Sequence, residues 1–363
     1  MLKQYFQRTP LLNGEDSNAK REEIRTYFHT TQDRYENLFK TLRTDDAYYK
    51  KSISLRHPLI FYYGHTSTFF VNKLILAGVI IERINPALES ICAVGVDEMS
   101  WDDLDTTHYE WPTVETVHNY RRTTRNLVDK LISELPLTLP ITWESPWWVI
   151  LMGVEHERIH LETSSVLIRQ HKLEYVKPHP DWRPCQESGD APQNRLIEIQ
   201  AGTIQLGKDF ANPLTYGWDN EFGHHEATVP TFQASEYLVS NGEFLKFVQA
   251  NGYTTTKHWE KEGLSWLKFS AAQYPTFWIK KDSEWQLRLM TEVISMPWNW
   301  PVEVNYHEAK AFCNWKAANT GQAVRLPTED EWYRLCDSSN LTNVPLNEPA
   351  TGNLHLDYCA SSC

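Results

Sequence analysis

Residues 156–160 read His-Glu-Arg-Ile-His, which sets His156 and His160 four positions apart. On a helix that spacing projects both imidazoles from consecutive turns of one face, where they can chelate a single ion. Val149, Met152, Thr163 and Leu167 continue the same face, so the pair interrupts a largely apolar stripe. Two buried imidazoles without a partner leave unsatisfied nitrogens, and like charges if protonated; a metal removes both penalties. The pair needs a further ligand. His65 shares a stripe with Phe61, Phe69, Asn72 and Leu76 and supplies it, giving His65, His156 and His160 as a three-imidazole set suited to iron, zinc or copper.

Other readings of these residues stand beside this one. A lone buried histidine is ordinarily a satisfied core residue. His-Glu-x-x-His is also the zinc-peptidase motif, with the glutamate as general base, and that reading needs a third ligand downstream; residues 161–195 offer Glu174 and His179 in a linker-like setting. Glu162 lies about 200° around the helix from His160, which points it to solvent or to a supporting role. His57 is about 80° around its helix from His65 and is left out of the site. A third reading, a non-enzymatic binding module with a structural bundle, predicts no bound metal.

The elements that must carry these residues are legible as amphipathic periods. A first helix, roughly residues 18–42 after a Ser17 cap, carries Ile24, Tyr27, Phe28, Thr31, Tyr35, Leu38, Phe39 and Leu42 on one face. A second starts at Pro58 and runs to about Ile84 with His65 on its stripe. A third, from Thr113 to Pro136, aligns Val117, Tyr120, Thr124, Leu127, Val128 and Leu131. The fourth opens on Ser145-Pro146 and bears His156 and His160. Four long helices in succession predict a four-helix bundle, an architecture that builds metal sites from inward-facing side chains.

From Lys172 to Arg195 the pattern gives way to Pro178, Pro180, Pro184, Gly189 and Pro192. The expected organisation is a bundle over 1–175, a linker over 176–195 and an α+β region over 196–363. Short strands are predicted at residues 196–201, 203–206 and 227–232, and helices at 240–251 and 304–320.

Composition narrows the classes of partner. A net charge of −12 opposes a nucleic-acid surface, and 15 Trp with 17 Tyr suit cores and small-molecule pockets. There is no apolar run long enough to span a membrane. The first eight residues show no export signal, and the six cysteines, none in a C-x-x-C pair, are expected to be reduced; both point to the cytoplasm.

With the histidines placed, the chain resembles the iron(II)-dependent sulfoxide synthases of thiol-histidine biosynthesis, which join a DinB-like four-helix bundle to a formylglycine-generating-enzyme-like (C-type-lectin-like) domain. The resemblance rests on Gly64-His65-Thr66, on His156-x-x-x-His160-x-Glu162, on Arg325-Leu326-Pro327-Thr328-Glu329-Asp330-Glu331-Trp332 and on Pro301-Val302-Glu303-Val304-Asn305-Tyr306-His307-Glu308-Ala309. It implies iron(II) held by His65, His156 and His160, and oxygen as co-substrate. Arg325 and Glu329 are read as ion partners, Trp315 and Trp332 as core fillers, and no residue is assigned as catalytic.

Residues 55–65 and 93–104 are similar to the ovothiol branch, the 5-histidylcysteine sulfoxide synthases, whose substrates are cysteine and histidine. The absence of Lys and Arg from Val96 to Tyr120 agrees, because the ergothioneine-type branch places arginines in the comparable region. An ergothioneine-type enzyme acting on trimethylated histidine is the alternative. The chain stops at Cys363, while the family's second domain continues well past the Arg-Leu-Pro-Thr-Glu signature, so the resemblance implies a C-terminally incomplete domain that lacks the family's active-site tyrosine.

Overall fold

The computed structural model describes residues 9–94, 109–211 and 213–338. The 93–104 segment, apart from its first two residues, Cys359, Cys363 and the first eight residues lie outside these. The first half is helical: α1 (Ser17–Phe39), α2 (Asp46–Tyr49), α3 (Leu59–Leu76), α4 (Pro86–Ile91), α5 (Val114–Glu134) and α6 (Pro146–Gln170). The four long helices are those the periodicity predicts.

Local chemistry fixes their ends. Asp16, not Ser17, caps α1, its carboxylate accepting from the Asn18 and Ala19 N–H groups. Thr113 and Ser145 cap α5 and α6, and Pro146 fills the first turn of α6. α3 ends at Leu76 rather than near Ile84. Gly78 takes φ +68°, and the Val79 N–H turns back to the Leu74 carbonyl, so the chain leaves the helix with Ile81 exposed.

Two apolar clusters form the bundle core. One gathers Tyr35, Leu38, Phe39, Phe61 and Leu161, the other Phe28, Phe70, Leu74, Trp147 and Leu151. Between Gln170 and Leu196 only a 3-10 turn at Leu173–Tyr175 is regular. No helix among the described residues is long and apolar enough to cross a membrane.

Beyond it lie β1 (Leu196–Ile199), β2 (Gly202–Leu206), β3 (His225–Val229) and β4 (Phe232–Ser235), then α7 (Asn241–Gln249), α8 (Lys261–Ser270), β5 (Trp278–Lys281), β6 (Glu284–Arg288), β7 (Val293–Ser295), α9 (Tyr306–Thr320) and α10 (Glu329–Ser338). β1 pairs antiparallel with β4 and β2 with β3, Gly202 facing Val229. β5, β6 and β7 form an antiparallel meander. Phe244, Phe247, Trp259, Trp278 and Phe312 centre the core of this half.

Both motifs of the second half are capping boxes. The Asn305 side chain accepts from the Glu308 N–H while Glu308 accepts from the Asn305 N–H, and Thr328 and Glu331 repeat the exchange at α10. Arg325 pairs with Glu331 at 2.6 Å rather than with Glu329, because the box turns Glu331 back toward the loop. Trp332 is 52% exposed and fills no core, whereas Trp315 packs against Phe247 and Phe312. Cys92, Cys313 and Cys336 are free thiols; Cys185 is in a disulfide, contrary to the expectation of wholly reduced cysteines.

Candidate metal centre

α3 and α6 pack against each other along the bundle and bring His65, His156 and His160 together. One ring nitrogen from each lies within 4.8 Å of the others, the one such group of three or more His, Cys, Asp or Glu side chains among the described residues. The Nε2 atoms of His65 and His156 are 3.3 Å apart. Two nitrogens bound to one ion at about 2.0–2.1 Å each stand roughly 3–3.4 Å from one another, so the spacing fits a shared metal.

The surroundings orient each ring. His65 Nδ1–H donates to the Cys92 carbonyl at 2.8 Å, which leaves the Nε2 lone pair turned toward its partners. Phe61 stacks on His65 with centroids 5.1 Å apart and 13° between planes, and Phe69 stacks on His156 at 3.6 Å and 7°. His65 and His156 are buried, while His160 is partly exposed beside Tyr62, with ring centroids 6.0 Å apart. The centre therefore opens on the His160 side.

Electrostatics favour the neutral form of His156 and His160. Burial, then the neighbouring His160, His65 and Lys73 charges, push His156 well below the usual histidine range. Burial, then His65 and Arg56, lower His160 to about 3. Neutral imidazoles offer lone pairs at pH 7. His156 Nδ1, buried against Phe69, finds no hydrogen-bond acceptor, a cost that metal at Nε2 offsets. An uncharged N3 set of this kind fits a divalent transition ion with positions to spare.

The rival ligands are elsewhere. Glu157 is fully buried and turned into the bundle, where Arg121 Nη2 donates to it at 2.8 Å and Gln32 and Thr66 also donate to it. A peptidase general base must instead face the metal's water. Glu162 and Glu174 are exposed, His57 packs among Phe61, Tyr109 and Trp111, and none of these, nor His179, joins the cluster.

Sequence reasoning missed Arg121. It is 1% exposed and reaches Glu36, Glu157, Thr66 Oγ1 and the Tyr63 carbonyl. The signal was present: Val117, Arg121, Thr124 and Val128 fall on one helical face, so a charge sat in a core stripe.

The matches to known families divide where the fold divides. Residues 27–164 match the DinB superfamily and residues 184–342 the sulfatase-modifying factor enzyme 1-like domain. The chain is thus a DinB-type bundle carrying a three-histidine cluster, followed by a sulfatase-modifying-factor-like domain.

Among individual proteins it is similar to Ergothioneine biosynthesis protein 1 of Neurospora crassa, 27% identical over 237 residues, 60% of this chain and 26% of that protein. Hercynine oxygenase of Mycobacterium tuberculosis is 34% identical over 119 residues, 32% of this chain and 26% of that protein. Ergothioneine biosynthesis protein 1 of Schizosaccharomyces pombe is 22% identical over 360 residues, 88% of this chain and 43% of that protein. The chain spans 26% to 43% of the length of these relatives.

Proposed function

We propose that this chain belongs to a cytosolic iron(II)- and oxygen-dependent sulfoxide synthase that couples the sulfur of L-cysteine to the imidazole carbon of L-histidine, giving 5-histidylcysteine sulfoxide. The observation that carries the reading is the convergence of His65, His156 and His160 on one point that opens beside His160. Iron(II) bound there would activate oxygen and seat the thiolate.

Stoichiometry closes without a further reductant. A C–H and an S–H bond break, a C–S bond forms, one oxygen atom ends on sulfur and the other leaves as water. The four electrons removed from the two substrates reduce one O2.

The chain's own groups supply binding and orientation. Three neutral imidazoles leave the charge of a divalent ion unbalanced, which favours an anionic ligand such as a thiolate. Arg56 stands at the open side, where its charge acts on Tyr62 and on His160. Exposed, with no carboxylate in ion-pair reach among the described residues, it is placed to take an amino-acid carboxylate. Phe61 and Phe69 stack on His65 and His156 and wall the side away from the opening.

The similarity to Hercynine oxygenase supports a second reading, in which the imidazole substrate is hercynine, the trimethylated histidine. Anaerobic reconstitution with iron(II), followed by cysteine, oxygen and either imidazole, separates the two by product mass. Loss of about one equivalent of iron in both His65→Ala and His156→Ala is expected. Normal binding by His65→Ala with loss in His156→Ala would instead move the metal to a hydrolase-type site.

A further inference from the structure

α1 and α5 pack side by side in the bundle, and an open cavity of about 430 Å³ lies between them. Asp33, Glu36 and Lys40 line it from α1, three and four residues apart. His118, Arg121 and Arg125 line it from α5 at the same spacing, with Arg122 beside them. Residues so spaced share one face of a helix, so two charged stripes meet across the cavity.

Their charges do not cancel. Arg125 Nη1 donates to Asp33 at 2.7 Å, and Arg121, buried at the floor, pairs with Glu36. Tyr63 donates to the other Glu36 oxygen at 2.7 Å and meets His118 Nδ1 at 3.0 Å. Both carboxylates of the lining are thus engaged, and Asp181, outside it, accepts from Asn37 Nδ2 at 2.6 Å. Lys40 and Arg122 remain. Each is exposed and donates to a neutral amide, Lys40 to Asn37 Oδ1 at 2.8 Å and Arg122 to Asn119 Oδ1 at 3.0 Å. Neither has a carboxylate in ion-pair reach among the described residues.

Lone cations on a convex surface are ordinarily just solvated. These two stand with a cavity between helices, over a buried guanidinium, in a chain whose net charge is −12. A concave site lined by an excess of one sign concentrates counter-charged solutes. Its volume falls within the roughly 300–1,000 Å³ of small-molecule sites.

We propose that this cavity binds a small organic dianion, a phosphate monoester or a dicarboxylate, whose two charges are met by Lys40 and Arg122. The two uncompensated cations set the charge, and the volume sets the size. The site is separate from the histidine cluster: His65, His156 and His160 lie on α3 and α6, and none of them lines the cavity. Arg121 stands between the two, reaching Glu36 on the cavity side and Glu157 beside His156. Binding here requires neither iron nor the coupling reaction.

The test is calorimetry on the full, metal-free chain at constant ionic strength, with glycerol 3-phosphate and succinate as separate probes. Without metal, neither probe can bind by coordination at the histidines. Saturable binding of one probe per chain is expected. The probe that binds tells a phosphate site from a dicarboxylate site, and binding of both assigns recognition to charge alone. The double variant Lys40→Met, Arg122→Met should weaken the affinity at least about tenfold, the loss expected for charge-assisted contacts. Both side chains are exposed and outside any ion pair, so the variant should unfold at the wild-type urea concentration. Lys130→Met, an exposed cation further along α5 that pairs with Glu134, should bind as the wild type does. Absence of saturable binding for both probes, or undiminished affinity in the double variant, would overturn the proposal.

Discussion

Arg121 Nη2 donates to Glu157 Oε1 over 2.8 Å in the bundle interior, with both side chains essentially closed to solvent. Thr66, which also accepts from Arg121, follows His65 in sequence, and Glu157 follows His156. One guanidinium thereby ties α3 to α6 at the residues next to two of the three clustered histidines. The same bond removes Glu157 from any role as a base in the His-Glu-x-x-His pentapeptide.

Glu157→Ala should accordingly act on stability. Removing one partner of a buried ion pair commonly costs about 3–5 kcal/mol, and the remaining Arg121–Glu36 pair places this case near the lower end. Urea unfolding of the metal-free protein measures it. Unchanged stability, with only a hydrolytic activity lost, would restore the peptidase reading.

The fit between α3 and α6 is tight enough to test with one methyl group. A Cβ on Gly153 would come within 2.1–2.6 Å of three carbons of the Phe70 ring, which is buried and stacked edge-on against Phe28. An aromatic ring held on both sides cannot yield by rotamer, so the helices must separate. Gly153→Ala should cost about 1–3 kcal/mol in chemical unfolding, although alanine is the better helix former. As His156 is three residues away, iron affinity should fall in the same variant.

How much of this was legible follows from what each signal requires. The long helices and the histidine cluster follow from a 3.6-residue period, and a period survives without tertiary information. α8 was missed because Gly263 and four polar Ser or Lys positions dilute its apolar stripe, and the meander because its strands are only three to five residues long. The Arg121 network was missed for another reason. Whether a charge in a core stripe is satisfied depends on Glu36 and Glu157, which reach it from two other helices.

Arg56 is expected to govern substrate affinity rather than metal affinity, since its charge acts beside Tyr62 and it is not one of the clustered ligands. Arg56→Leu should weaken anaerobic cysteine or histidine binding to the iron-loaded chain by roughly tenfold, the usual loss for one charge-assisted contact. Calorimetry reads it directly. Iron stoichiometry should stay at the wild-type value. Unaltered amino-acid binding would mean that the carboxylates are held elsewhere.

The α10 capping box carries a pH signature of its own. Hydrogen bonding and charge from Arg325, with two further hydrogen bonds from Thr328, lower Glu331 to about 2 against an ordinary value of 4.5. A carboxylate whose folded pKa is depressed contributes its stability in full above the unfolded value and loses it as pH falls through the folded one. The contribution should therefore be intact above about pH 5 and vanish progressively toward pH 2. Because Arg325 is 57% exposed, solvent screening holds it to about 1–2 kcal/mol. Glu331→Gln should lower stability by that amount at pH 7 and flatten this part of the acid limb, whereas Glu329→Gln, outside the box, should leave both unchanged. Equal acid limbs for Glu331→Gln and wild type would assign the acid sensitivity to other carboxylates.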